Sequence, residues 1–507
     1  MKRSSSIALL IVPVLIGIIG LYSIRIIVPT YAGINQYDYD PAYVYLLNGV
    51  SIFLGLPPGH IDHPGTPTQI VIGMVAGLWW SLFDRGSGTL MDAALANPEL
   101  YVRVLGLFFL GCNVAANWFL GRRVAAAAES VSTGIVAQTG PLFLGVLAPR
   151  LVYLSSEAML LALGMVVLGL LADAMFRPGP KAPGLGSSIV AGALSGIAVT
   201  AKVTFAPMLA VLFVIPRDRR LAAALLATVV AALLSVSPAY EQGLSMLRWF
   251  VGLATREGRY GVGERGIADV ATIAAQLREI GKVIPILYVG LLTAAVAVPL
   301  RFGRISMAIL AAFVLQLCLA VKPTQVHYFM AVVPLATVLL AWLVRTTGRV
   351  GARLAGLGAV LAVGLGCLWS NAGFEILRAE RAVRSAQVRE FERALLQYPG
   401  ALVIGTYRVP DLNYALNFAA GYTSTAFRIE VSPKLPSDLS YHRGGFIVSA
   451  IGNYGPLRRV DPFLAAGRTV LLAFPVEVPF ERFECAQPIW SNARFHICRV
   501  LRVLDPP

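Results

Sequence analysis

Charge is what this chain has least of. Of its 507 residues only 14% are Asp, Glu, Lys or Arg, against 57% hydrophobic, and the mean hydropathy is +0.71. A chain this long with so little charge is not a soluble protein; it is an integral membrane protein. Cysteine is scarce too. The five have no metal-ligand spacing, which excludes the usual cysteine-based metal centre. Cys112, Cys318 and Cys367 lie in apolar runs and read as packing residues. Cys485 and Cys498 lie in a polar tail and are able to pair in an oxidising compartment. No Walker-type loop, GxSxG or HExxH occurs, which argues against a nucleotide-driven pump or a membrane protease. Repeats and low-complexity linkers are missing as well. A net charge of +15 points to nucleic acid at first sight. In a membrane protein it reads instead as basic cytoplasmic loops touching anionic lipid, with no nucleic-acid partner.

One absence is local. From Ile26 to Asp84 there are 59 residues without Lys or Arg, where the chain average predicts about five. Apolar runs suited to spans cover 7–27, 101–120, 124–148, 151–176, 221–240, 283–300, 305–321, 327–344 and 354–369. The run 188–215 is too long for one ordinary span, and Lys202 interrupts it; it reads as two short helices meeting there. Basic clusters at Lys2/Arg3, Arg122/Arg123, Arg177/Lys181, Arg217/Arg219/Arg220, Arg301/Arg304 and Arg345/Arg349/Arg353, all placed in the cytoplasm, give about eleven spans. That count requires 69–83 not to cross. At about 22 Å as a helix it is short against a ~30 Å hydrocarbon core, and it ends in Trp79-Trp80, so a re-entrant or surface-lying helix is expected. The first external loop then runs over 28–100. Residues 241–282 fit poorly as an external loop, because they hold Arg248, Arg256, Arg259, Arg265, Arg278 and Lys282.

The expected fold class is therefore an α-helical polytopic membrane protein with a small C-terminal α/β extramembrane domain. The membrane domain covers 1–372 and the tail 373–507. In the tail, 374–397 has helical periodicity with dense charge, and 401–405, 445–450, 469–474 and 495–500 read as strands.

Candidate chemistry starts in the basic-free loop. Asp38 and Asp40 are two apart, and Pro41 disfavours helix at Asp40. Tyr43, Leu46, Leu47 and Val50 then follow helical spacing, so Asp40 sits near the start of a short helix. It is either a helix cap or a carboxylate acting as general base or metal ligand. His60, Asp62 and His63 precede Pro64-Gly65-Thr66-Pro67 in a spacing that matches no standard metal site. His63 reads as a partner for Asp40 or a phosphate contact, and His60 as a turn residue. Arg150, Glu157, Lys202, Lys322, His327 and Tyr328 fall on the same side by this topology. Singly, Arg150 and Lys322 could be snorkelling cations. Together the six supply acid, base and cation at one interface, as a lipid-linked phosphate would require. His442 and His496 are isolated and read as structural.

These residues resemble the GT-C superfamily of polytopic glycosyltransferases, in its bacterial branch related to protein mannosyltransferases and lipid A sugar transferases. The resemblance rests on Asp38-Tyr39-Asp40-Pro41 in the first external loop and on Asp62-His63-Pro64-Gly65-Thr66. It continues through Pro149-Arg150 to Ser156-Glu157, through Gly196 to Lys202, and through His327-Tyr328 to Pro334. The chain departs from the family where Asp-Glu becomes Asp40-Pro41 and where His-Pro-Pro becomes His63-Pro64-Gly65. The resemblance covers 7–344 and implies inverting transfer of a sugar from a polyprenyl-phosphate donor to a glycan, lipid or protein acceptor. It further implies a site on the periplasmic face of a bacterial inner membrane. Asp40, with Asp38 as the alternative, and His63 would be catalytic; Arg150, Lys202 and Lys322 would neutralise the departing phosphate. Arg256, Arg259 and Arg265, in the loop TREGRYGVGERG, would close over the donor. Some members use a divalent metal and others do not, so the resemblance leaves the metal undecided. Other readings of the same residues are a lipid-linked glycan ligase or polymerase, and a membrane transporter or flippase built on the broken helix at Lys202.

Overall fold

The computed structural model describes residues 7–27, 39–61, 65–177, 183–258, 264–266, 270–300, 303–322, 325–346, 348–406, 412–435, 439–442, 446–449, 454–456, 464–467, 469–475, 483–486, 488–493 and 495–503. They form two compact units. One comprises Met1–Ile24, Ile61–Thr68 and Gly106–Ile376; the other comprises Arg25–His60, Gln69–Leu105 and Leu377–Pro507.

The first unit is helical. It contains α1 (Ile11–Ile27) as far as Ile24 and, among the helices named below, the stretch from α5 to α15 between Gly106 and Ile376. In the numbering used here α2 is Tyr39–Phe53, α3 Thr66–Trp79, α4 Leu90–Ala96, α5 Pro98–Ala128 and α6 Val131–Gln138. A twelve-residue 3-10 segment, Gly140–Leu151, leads to α7 (Ser156–Phe176). Then come α8 (Leu185–Ala201), a 3-10 segment Val203–Val214, α9 (Arg219–Ser235), α10 (Gly243–Thr255), α11 (Val270–Val283), α12 (Ile286–Leu300) and α13 (Arg304–Cys318). A 3-10 turn, Val326–Val332, precedes α14 (Val333–Thr346) and the 49-residue α15 (Gly348–Leu396).

Among the described residues, six helices are long and apolar enough to cross a bilayer, or eight if each of two bent pairs is one span. The chain is a multi-pass membrane protein. The break expected between 120 and 124 is not there: α5 runs through Arg122-Arg123 to Ala128. Arginine is a good helix former, and both arginines are engaged on the helix surface. Arg123 pairs with Asp173 at 2.7 Å and Arg122 lies 4.7 Å over Trp118. The turn is made later, by Glu129 at φ 53° and by Ser130, whose hydroxyl caps α6. The length expected for 69–83 is also exceeded. The helix continues through a π turn, Trp80–Asp84, and a 3-10 turn, Arg85–Ser87, to give 22 residues from Thr66. That is about 33 Å, so its length no longer argues against a crossing.

The helix break at Lys202 is as the sequence suggests. Lys202 is extended, at φ −163° and ψ 128°, between α8 and the 3-10 segment. Its position is set by α8, which packs tightly on α9. A side chain at Gly192 would meet the Ala224 carbonyl at 2.0 Å, and one at Gly196 the Thr228 carbonyl at 2.2 Å. The Gly192-Ala-Leu-Ser-Gly196 spacing is the small-residue pattern that lets helix backbones touch in a membrane.

The tail carries a sheet of order β4-β3-β2-β1-β5-β8-β6, with β7 paired to β8. The strands are β1 (Leu402–Thr406), β2 (Leu439–His442), β3 (Phe446–Ser449), β4 (Tyr454–Pro456), β5 (Val470–Pro475), β6 (Phe483–Cys485), β7 (Trp490–Ser491) and β8 (Phe495–Val503). β1 is parallel to β2 and β5; the other pairings are antiparallel. Alternate residues Leu471 and Ala473, and Phe495 and Ile497, face Val388, Phe391 and Ala394 of α15 and form a buried core. Cys485 and Cys498 are joined by a disulfide.

Candidate active site

The first unit gathers charge at one buried point. Glu157 is the second residue of α7, where a carboxylate suits the helix dipole. Its Oε1 accepts a hydrogen bond from Nζ of Lys202 and lies 3.4 Å from Nε2 of His327. The Glu157, Lys202 and His327 side chains are only 3%, 7% and 12% exposed, so this is an ion pair removed from water rather than a surface contact. The Lys202 ammonium also stands 4.1 Å from the ring centre of Tyr328. The backbone fixes all three carriers. Ser156 donates to the Ala201 carbonyl at 2.9 Å and joins Thr68 at 3.1 Å, tying the start of α7 to the break before Lys202. Gln316 donates to the Tyr328 carbonyl at 3.1 Å and anchors the 3-10 turn. Arg150 lies 4.6 Å over the Tyr153 ring, and its charge acts on Glu157 as well. Ser155 Oγ and Thr204 Oγ1 flank this cluster in sequence, are buried, and have no hydrogen-bond partner among the described residues. Two cations, Lys202 and Arg150, act on the one carboxylate of Glu157. The arrangement is therefore able to hold an anion against buried N–H and O–H donors.

Further along, Lys322 donates through Nζ to the Arg256 carbonyl. Arg256 and Arg265 bridge, with Glu257 N–H to Glu264 O at 3.0 Å and Gly266 N–H to Thr255 O at 2.9 Å. They close the stem of the arginine-rich loop whose Arg259 lies outside the described residues. Burial pushes the Lys322 ammonium below its ordinary range, while the Glu257 charge pulls the other way.

In the second unit, Asp40 falls in the first turn of α2. Its side chain, and Asp38 and His63 altogether, lie outside the described residues. The helix itself is buried from Ala42 to Ser51 on every face, whereas the sequence suggested only one apolar face. Asn48 holds it. Its Oδ1 accepts from the Gly59 and His60 amides at 2.7 and 3.1 Å, and its Nδ2 donates to the Val44 and Tyr422 carbonyls at 2.8 and 3.2 Å. Tyr422 belongs to the turn after α16 (Leu412–Gly421) in the tail. Gly59 comes so close to that turn that a side chain there would meet the Thr423 carbonyl carbon at 2.1 Å. The His60 ring packs edge-on to Tyr45 and Tyr422 at 5.5 and 5.9 Å, so it does more than make a turn. Tyr43, one turn beyond Asp40, donates to the buried carboxylate of Glu99 at the start of α5.

Thus Glu157, Lys202, His327 and Tyr328 come together, Arg150 stands beside them, and Lys322 meets Arg256. Glu99, Asn48 and Thr204 were not found from sequence. Pro98-Glu99 reads as an ordinary helix start, and Asn48 and Thr204 carry no charge to draw notice. Among the described residues no three His, Cys, Asp or Glu side chains come together to hold a metal ion.

The fold is a polytopic helical membrane region with a small C-terminal α/β region. It is shared along nearly the whole chain with ArnT from Cupriavidus metallidurans, solved bound to undecaprenyl phosphate. The two are 12% identical, with a TM-score of 0.53, over 98% of this chain and 98% of that one. The Archaeoglobus fulgidus oligosaccharyltransferase, solved with zinc and sulfate, is more distant: 16% identity and a TM-score of 0.39 over 71% of this chain and 52% of that one. No protein-family model and no curated protein sequence matches the chain.

Proposed function

We propose that this chain is a membrane glycosyltransferase that moves a sugar from a polyprenyl-phosphate carrier to a glycan, lipid or protein acceptor at the external face of a bacterial inner membrane. The observation that carries this reading is the buried Glu157–Lys202–His327 cluster, set at a helix break in a chain with the fold of ArnT along its length. ArnT's bound undecaprenyl phosphate supports a donor of that class here.

In the proposed reaction an acceptor hydroxyl attacks the anomeric carbon from the face opposite the phosphate. The new C–O bond forms as the bond to the phosphate oxygen breaks, the electron pair leaves with the phosphate, and the configuration inverts. Asp40 takes the hydroxyl proton, with Asp38 as the alternative base and His63 as its orienting partner. Lys202, Arg150 and Lys322 neutralise the phosphate as it gains charge. Glu157 and His327 hold Lys202 in place, and Tyr328 covers it. Arg256, Arg259 and Arg265 close over the donor from their loop. The external placement is supported by the absence of Lys and Arg from Ile26 to Asp84 and by the Cys485–Cys498 disulfide, a bond of oxidising compartments.

The test is transfer of radiolabelled sugar from polyprenyl phosphate in membranes carrying wild type, Asp40→Asn or Asp38→Asn. Loss of a general base costs about 10²–10⁴-fold, and Asp40→Asn is expected to show it. Normal transfer by both variants overturns the catalytic assignment.

A further inference from the structure

We propose that a cavity beside the charged cluster, between α11 and Val326, receives the sugar ring of the donor. The proposal rests on the reading of the chain as a polyprenyl-phosphate sugar transferase. The cavity measures about 340 Å³ and is lined by Thr272, Ala275, Gln276, Glu279, Ile280 and Val326. That is near the lower end of small-ligand pockets, a size for one ring and its substituents rather than for an oligosaccharide.

The lining has the chemistry of a sugar site. Thr272, Gln276 and Glu279 recur at helical spacing and share one face of α11. The Gln276 amide donates to the Thr272 hydroxyl at 2.9 Å, so hydroxyl, amide and carboxylate form one polar strip. The hydroxyl and the amide give and accept hydrogen bonds and the carboxylate accepts them, the pattern that vicinal hydroxyls require. Ala275, Ile280 and Val326 supply the apolar surface that the C–H face of a pyranose or furanose packs against. A phosphate does not fit this wall. Glu279 supplies a carboxylate, no Lys or Arg is among the described residues that line the cavity, and the nearby Lys282 ammonium is 4.0 Å from Glu279.

Location assigns the cavity to the donor. Besides α12, α11 packs against three short 3-10 segments. One is the 3-10 segment that carries Arg150. Another is the turn Leu319–Val321, which ends at Lys322. The third is the turn of His327, whose neighbour Val326 is itself part of the lining. Segments that carry or end at Arg150 and Lys322, two of the cations proposed for the phosphate, therefore pack on the helix that lines the pocket. A sugar phosphate laid across this boundary puts its anionic end on the cations and its hydroxyls on α11.

The experiment measures donor and acceptor KM separately, using purified full-length chain and a radiolabelled polyprenyl-phosphate sugar. Glu279→Gln and Gln276→Ala are expected to raise the donor KM about tenfold, leaving the acceptor KM and the melting temperature unchanged. Ala275 is exposed, so Ala275→Trp fills the cavity without disturbing a core. It is expected to block transfer while binding of sugar-free polyprenyl phosphate persists. An unchanged donor KM in all three variants, with wild type active, overturns the cavity assignment alone. Absence of transfer by wild type overturns the functional reading, and this inference with it.

Discussion

Lys202 and Glu157 are each costly where they stand. A charge inside an apolar run must find a partner or leave the membrane interior, and here each is the other's partner. Removing one member of such a pair strands the other, at about 3–5 kcal/mol, whereas replacing both by apolar groups of similar size is often neutral. Lys202→Met is thus expected to lower the unfolding midpoint sharply in detergent. The double variant Glu157→Leu/Lys202→Met is expected to recover most of that stability and none of the transfer. Recovered transfer in the double variant makes the pair a packing device only. The same cost made these residues visible in the sequence: Glu157, Lys202 and His327 stand out because their surroundings carry so little charge. Asn48 and Glu99 did not stand out. An uncharged amide and a glutamate after a helix-opening proline look ordinary until long-range contacts give them partners.

Among the elements, α2 is held in place by a single polar side chain. Three hydrogen bonds at Asn48 tie it to Gly59, to His60 and to Tyr422 of the tail, and a fourth stays within the helix at Val44. Each buried group left unpaired costs about 1–3 kcal/mol. Asn48→Ala is expected to reduce stability by several such amounts, and protease cleavage of the folded chain near Tyr422 should accelerate. Equal cleavage rates for variant and wild type make the tail contact incidental. A second tie in this unit is an exposed pair, Asp92 with Lys434. The bonds from Lys434 and Thr89 hold the Asp92 carboxyl down at about 2, from 3.8. A lowered folded pKa stabilises above the unfolded value, so the contribution is full above about pH 4 and fades as pH falls through about 2. Exposure and salt keep it small. Asp92→Asn should flatten this part of the acid unfolding curve, and more so at low ionic strength; identical curves for the two proteins contradict it.

Secondary structure was readable where period and punctuation agree. The helix break at Lys202 and the strands β1, β3, β5 and β8 were read from the sequence alone. The end of α5 was misplaced because two arginines were taken as a loop, although nothing in them breaks a helix. β4, β6 and β7 span only two or three residues, too few for an alternation to register.

For the whole molecule, sidedness is the property to test. The proposed eleven-span topology puts the stretch around Gly86 outside together with the tail, and the helix Thr66–Ser87 is now long enough to challenge that. A Gly86→Cys variant, in an otherwise cysteine-free membrane region, is expected to react with an impermeant maleimide added from outside. Protection there, with labelling only after permeabilisation, reverses every later side. The central claim is transfer of a sugar, not its carriage across the bilayer. The direct measurement reconstitutes the purified chain in liposomes with a polyprenyl-phosphate-linked radiolabelled sugar and a mixture of envelope acceptors. It follows both covalent attachment and movement of the label. Label bound to an acceptor with the opposite anomeric configuration to the donor is the predicted result. Label that crosses the bilayer and stays on its original carrier contradicts it and makes the chain a transporter.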